Sequence, residues 1–398
     1  MFRPLLVHTL KLGLALSPPR KTIKKVTHKI SAHSTHMRTK VLVFPATHLD
    51  GVSFIESARD QGRAVVAATS EMDIVFQELL GPMVQLPYIY DQSFPDALLN
   101  LLEKEGIDEI FCPVSSVYTW LKNFIDSRRL NLTLIGDSPQ ARAMAAHHKL
   151  MATVDRHYSF IEVCAGGRLE LSKIELAAIF RVASGIYGES NETKIAAMIG
   201  VFEHVPKGDV VEIGSLAGKS AAVLTLLARR HRTGNVLAVD AWQSDASRQH
   251  DSPDIVRVHM PDSWDLNVLL KMFCVNTFPI GVGVFNYMHS ESVPASVAYK
   301  RDGFVENDMF GRIDYTGRIG LIHIDANHDY AKVKLDCEAW LPLLVPGGWL
   351  ILDDYLWAHG DGPKRIGDEI LKDRQHEIRC AFVCGKALFV QFNEKFSY

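Results

Sequence analysis

The stretch Val211–Ser220, VEIGSLAGKS, decides the fold. An apolar strand runs through Glu212 into Gly214, Ser215 and Gly218, and a helical pattern starts at once. Glycines at a strand-to-helix turn let backbone approach a ligand closely, and the helix start supplies free N–H groups. A dinucleotide fold would read GxGxxG and hold a pyrophosphate. Here the spacing is Gly-x-x-x-Gly with an acid two residues ahead, which suits a cationic ligand without phosphate. Ser220 closes the motif.

The next strand, Asn235–Asp240, ends in an acid and is followed by Trp242. An acid at that place, about 20 residues past the glycine turn, can accept hydrogen bonds from both hydroxyls of a ribose.

Further strands are expected at Val282–Tyr287, Gly320–Asp325 and Trp349–Asp353, with helices at Glu192–His204, Lys219–Arg230, about Leu266–Val275 and Tyr330–Leu344. The chain closes with Glu377–Cys384, a Gly385–Lys386 turn and Ala387–Phe392, which reads as an antiparallel hairpin. Alternating strands and helices give a parallel α/β sheet. With the hairpin the count is seven strands.

Two consecutive strands end in carboxylates: IDANHDY at 324–330 and LVPGGWLILDDY at 344–355. Neighbouring parallel strands lie ~4.8 Å apart, so Asp325 should converge with Asp353 and Asp354 at the carboxyl edge, where ligands bind. Clustered carboxylates repel unless a cation or protons intervene. A hard cation such as Mg²⁺ takes oxygen ligands and would acidify a substrate hydroxyl. His323 alternates with Asp325 and reads as a core histidine, whereas Trp357 and His359 follow the DDY turn and could line an acceptor pocket.

On these motifs, with Asp336, Trp340 and LVPGG between them, residues 191–398 resemble class I S-adenosylmethionine (SAM)-dependent methyltransferases, the group with macrocin O-methyltransferase-like and cephalosporin-tailoring enzymes. The resemblance implies SAM contacts at Glu212, Gly214, Ser215, Gly218 and Asp240, and Ser220 and Trp242 join that set from the motifs themselves. It implies a metal at Asp325, Asp353 and Asp354 in the metal-dependent members. Some members place a general base two residues after the fourth-strand Asp; here that residue is Asn327, which cannot serve. His328 is the natural substitute beside Asp325, because its ordinary pKa lies near neutrality.

The first half is a second α/β series. Strands are expected at Lys40–Ala46, Arg63–Thr69, Ile107–Pro113 and Leu130–Gly136, with helices between them. Residues 37–150 thus read as a small doubly wound domain. Its segments KVLVFPATHLDG, IDEIFCPVSS and IGDSPQARAMAAHHK resemble, loosely, a pre-ATP-grasp domain. The resemblance implies a large nucleotide-binding domain next, at ~100–200 residues. Only residues 151–190 follow, read as a helical linker with an amphipathic helix at Lys173–Gly188. ATP-dependent ligation is therefore not expected. The domain is expected to position an acceptor or to join copies of the chain in a homo-oligomer.

The 398 residues carry a formal net charge of −3. Residues 1–36 hold seven Lys and Arg and no acid, so the remainder is acidic and offers no bulk attraction to nucleic acid or anionic membrane. Pro4–Leu16 is too short to span a bilayer and contains His8 and Lys11. It reads as a disordered basic leader, or as sequence ahead of a start at Met37, rather than as a signal peptide. Six scattered cysteines without a CxxC pair point to core packing and a reducing, cytoplasmic setting.

The expected function is O-methylation of a small hydroxylated metabolite, a sugar or natural product. Two competitors are a nicotinamide-dependent oxidoreductase, disfavoured by the missing GxGxxG, and a non-catalytic binding module, disfavoured by the intact motifs. The long polar stretch Gln243–Asp265 reads as a lid or acceptor loop. Ser290–Thr316 is expected to be irregular.

Overall fold

The computed structural model describes residues 40–259, 263–394 and 396. The leader and the Met37 start lie outside them. The chain divides into two compact units, Met1–Pro139 and Gln140–Tyr398.

The first unit is a parallel five-stranded sheet: β1 (Lys40–Val43), β2 (Val65–Thr69), β3 (Val84–Gln85), β4 (Ile107–Phe111) and β5 (Thr133–Leu134). The order β3-β2-β1-β4-β5 is doubly wound, as the alternating pattern implied. Two apolar clusters, one around Leu42, Phe94 and Leu121 and one around Val43, Ile55 and Ala67, form its core. The boundary differs from the expected one near Leu150. Pro139 opens a single 26-residue helix that runs to Cys164, so the chain passes residue 150 within one helix. A proline in the first turn is pre-organised for helix.

The second unit holds β6 (Asp209–Ile213), β7 (Val236–Asp240), β8 (Phe285–His289), β9 (Phe304–Asn307), β10 (Gly311–Asp314), β11 (Ile319–Ile324), β12 (Leu344–Leu352), β13 (Ile378–Cys384) and β14 (Ala387–Phe392). Its main sheet has the order β13-β14-β12-β11-β6-β7-β8, with β14 antiparallel to both neighbours. Gly385 and Lys386 turn the terminal hairpin with φ of 53° and 72°, as a tight two-residue turn demands.

Strand β8 begins later than expected. The preceding helix runs on to Gly281, past Pro279, and Gly283 then turns with φ of 82°. Ser290–Thr316 is not irregular either. It forms helix Ser292–Asp302, ended by left-handed Gly303, and the separate β9–β10 hairpin.

The central strands are buried on both faces, and their side chains alternate. Val210, Leu321 and Ile351 join the core under helices Glu192–Val201, Lys219–His231 and Leu266–Gly281. Val211, Ile322 and Leu350 join the core under helices Ser292–Asp302, Tyr330–Trp340 and Gly362–Asp373. By the same alternation Glu212, Asp240, His323, Asp325 and Asp353 all belong to the face that Glu192–Val201 covers. Among the described residues, no helix is long and apolar enough to cross a membrane. The six cysteines are free thiols, four of them buried.

Candidate active site

A cavity of about 720 Å³ opens at the carboxyl edge of the large sheet. Gly214, Ser215, Ser220, Asp240 and Trp242 line one part of it, and Asp325, His328, Asp354, Trp357 and His359 line another.

The glycine turn is built by close approach. Gly214 has φ of 86°, and a Cβ there would lie 2.1 Å from the Asp325 carbonyl oxygen. The ends of β6 and β11 therefore touch through backbone alone. Gly218, also left-handed, precedes helix Lys219–His231. The Asp240 carboxylate accepts the N–H groups of Ser215, Leu216 and Trp242 at 2.8, 2.9 and 2.8 Å. Burial raises its pKa, and those three bonds oppose the shift. An ionised carboxylate offers about four acceptor positions, so room remains for a ribose hydroxyl. The Trp242 indole N–H donates to the Leu216 carbonyl at 2.9 Å and fixes the ring under the turn. The buried Ser215 hydroxyl has no protein partner and lines the cavity.

Glu212 is placed differently from the expected SAM contact. It is fully buried in β6, bonded to His323 Nδ1 at 3.0 Å, and absent from the cavity wall. Alternation along β6 and the register with β11 put the two side chains together beneath the floor. His323 is the core histidine its sequence position indicated.

The carboxylates are also arranged differently from the expected three-acid metal set. Asp353 does not line the cavity. One of its oxygens accepts from the Asp354 N–H at 2.9 Å, and the other is paired with the Lys194 ammonium. Lys194 also donates to Asp325 at 3.3 Å and is 1% exposed. Burial opposes the lysine's charge, but Asp325 and Asp353 together outweigh it and raise its pKa. Asp325 is held well below the usual carboxylate range: burial pushes it up, and Lys194 and His328 pull it further down.

Donor atoms of Asp325, His328 and Asp354 lie within 4.8 Å of one another. His328 Nε2 is 3.4 Å from Asp354 and 4.0 Å from Asp325, and has no hydrogen-bond partner. Burial lowers the His328 pKa, but the carboxylates of Asp325 and Asp354 beside the ring raise it overall. Trp357 packs edge-on against His328 at 4.7 Å, and His359 against Trp357 at 5.3 Å.

Asn327 has a different task from the acid it replaces. Its amide donates to the carbonyls of Ala246 and Arg248 at 3.0 and 2.7 Å. The Asp329 carboxylate accepts the N–H groups of His250 and Asp251, both at 2.8 Å. Gln249 lies 3.2 Å from His328 Nδ1. Together these clasp residues 246–251 onto the end of β11, and Ile255, Val256 and Trp264 further along line the cavity.

Sequence reasoning missed Lys194. The available signal was a lone lysine in the first turn of an otherwise apolar helix, NETKIAAMIGV.

Residues 211–355 match the family model described as a methyltransferase domain. No curated protein matches the chain. Among solved structures, the O-methyltransferase NovP is 14% identical over 61% of this chain and 99% of its own, with a TM-score of 0.34. CalS11, a calicheamicin methyltransferase, is 14% identical over 65% of this chain and 94% of its own, at 0.34. MycE, a methyltransferase of the mycinamycin pathway in complex with Mg, SAH and mycinamycin VI, is 14% identical over 48% of this chain and 46% of its own, at 0.29. Those likenesses are too loose to carry an argument. The strand order, with its one antiparallel member inserted beside β12, and the family match to the segment from the glycine turn to the DDY turn agree with each other. Residues 211–355, at the centre of the second unit, thus match a methyltransferase domain, and the strand order around them agrees with it.

Proposed function

We propose that the chain transfers the methyl group of SAM to a hydroxyl oxygen of a small molecule such as a sugar or natural product. The observation that carries this reading is a single cavity shared by the glycine turn with Asp240 and by Asp325, His328 and Asp354. Its size is that of a small-molecule site.

In this reading Asp240 takes the ribose, Trp242 backs the turn, and the Ser215 hydroxyl meets the amino-acid end of the cofactor. The acceptor lies against Trp357 with its hydroxyl toward His328. The new bond joins the acceptor oxygen to the methyl carbon. The carbon–sulfur bond breaks with its electron pair on sulfur, and the hydroxyl proton passes to His328 Nε2. Asp325 and Asp354 stabilise the resulting imidazolium. The lid loop excludes water, and positioning supplies much of the rate. Asp325 and Asp354 would be the oxygen donors for a divalent cation such as Mg²⁺, with His328 Nε2 left to take the proton, and a cation held there would acidify the acceptor hydroxyl. The free cysteines suit a reducing, cytoplasmic compartment.

Titration of the full chain with S-adenosylhomocysteine tests the reading. Micromolar binding that Asp240→Ala abolishes is the expected result. No binding by the folded protein overturns it and favours a non-catalytic module.

A further inference from the structure

We infer that Lys194 is the built-in cation of the carboxylate edge, a positioning residue that pairs Asp353 outside the cavity and fixes Asp325 against the glycine turn on which the cofactor is to lie. Cofactor binding at this edge therefore needs no divalent ion. The inference rests on the methyltransferase reading above.

Three observations converge on it. The first is cost. Lys194 sits at the third position of helix Glu192–Val201, after the Asn191 cap, whose side chain accepts its N–H at 2.9 Å. A cation in a helix's first turn opposes the helix dipole, and burying an ammonium adds a penalty of several kcal/mol. Only close pairing offsets both, and both partners are there: Asp325 and Asp353.

The second is placement. Asp325 and Asp353 end adjacent parallel strands, with Ile324 level with Leu352, and both point to the face that this helix covers. The hairpin turn locks the helix start. A Cβ on Gly385 would lie 2.7 Å from Lys194 Cβ and 2.8 Å from Asn191 Oδ1. The Gly385 backbone therefore packs directly against the stem of the lysine and against its Asn191 cap.

The third is charge. Three carboxylates gather at this edge. Lys194 faces two of them, and the third, Asp354, has Lys386 at 3.9 Å and His328 at 3.4 Å. Every acid already has a basic partner from the chain itself. For cofactor binding, therefore, the converging carboxylates need no ion as counter-charge.

The test is calorimetric titration of the full chain with S-adenosylhomocysteine, in EDTA and in Mg²⁺, with circular dichroism to monitor folding. The wild type is expected to bind equally in both buffers. Lys194→Met, which keeps the chain length and deletes the charge, strands two buried acids and is expected to weaken binding about tenfold or more. The double variant Lys194→Met with Asp353→Asn removes the stranded charge as well and is expected to recover most of the loss. A lysine that merely filled space would show no such recovery. Wild-type binding that disappears in EDTA and returns with Mg²⁺ overturns the inference, and so does a Lys194→Met protein that binds as tightly as wild type. Absence of wild-type binding in both buffers sinks the methyltransferase reading instead.

Discussion

Asp240, at the end of β7, accepts the backbone N–H groups of Ser215 and Leu216, 25 and 24 residues earlier in the chain, and so draws the glycine turn onto the neighbouring strand. One carboxylate shapes the turn and faces the cavity that the turn encloses.

Asp240→Asn replaces one acceptor oxygen with an N–H₂ that cannot take those bonds. Hydrogen bonds to charged groups contribute about 1.5–3 kcal/mol each. S-adenosylhomocysteine affinity is expected to fall roughly ten- to a hundredfold, with a lower melting temperature. Calorimetry and a thermal melt measure both. Unchanged affinity would remove Asp240 from the cofactor site.

His328→Asn keeps the size and polarity of the side chain but loses its basicity. Binding of S-adenosylhomocysteine should survive nearly intact. Transfer of radiolabelled methyl from SAM to hydroxylated acceptors should fall about 10²–10⁴-fold, the usual worth of a positioned base. Transfer at the wild-type rate would exclude His328 as the proton acceptor.

Asn327→Ala removes both bonds that tie the Gln243–Asp265 loop to the end of β11. The sheet has no stake in them, so global unfolding should shift little. Amide exchange at residues 243–252 should speed up, since local opening there loses about 1–3 kcal/mol of restraint. Exchange indistinguishable from wild type would show that the contacts of Asp329 and His328 suffice to hold the loop.

Asp336 lines the cavity, and burial pushes its carboxyl pKa up to about 6, against a weaker opposing hydrogen bond from Ser292. Its folded pKa is thus above the unfolded value. Between about pH 4 and pH 6 the native state binds the extra proton, so this group's contribution to stability falls as pH rises through that window. Asp336→Asn should stabilise the protein by about 1–3 kcal/mol at pH 8 and hardly at all at pH 4. Urea melts at both values decide it; an equal effect at both would place the titration elsewhere.

Much of the large sheet could be read from short-range pattern. VEIGSLAGKS, the acid at Asp240 and the paired IDANHDY and DDY segments each carry their chemistry within one strand and its following turn. What could not be read depends on partners far along the chain. Lys194 meets Asp353 across 159 residues, and no local period announces that meeting. Asp353 and Asp354 look equivalent in sequence, yet alternation sends one onto Lys194 and the other into the cavity. Asn327 looks like a lost acid until the carbonyls of residues 246 and 248 are seen above it. The β9–β10 hairpin was hidden because its strands are four residues each and lie outside the main sheet.

The seat that Gly385 makes for Lys194 has a consequence for how the protein is made. Cys384 reaches back 191 residues to the carbonyl of Thr193, so the last hairpin completes a wall whose other half was synthesised near the start of the unit. A nascent chain can form the glycine turn and its bonds to Asp240 once β7 has emerged. It cannot seat the lysine firmly until the ribosome has released β13 and β14. The floor beneath the cavity is therefore completed after the glycine turn, and truncation ahead of β13 should release Lys194 and strip Leu388, Phe389 and Val390 from the two cores of the sheet.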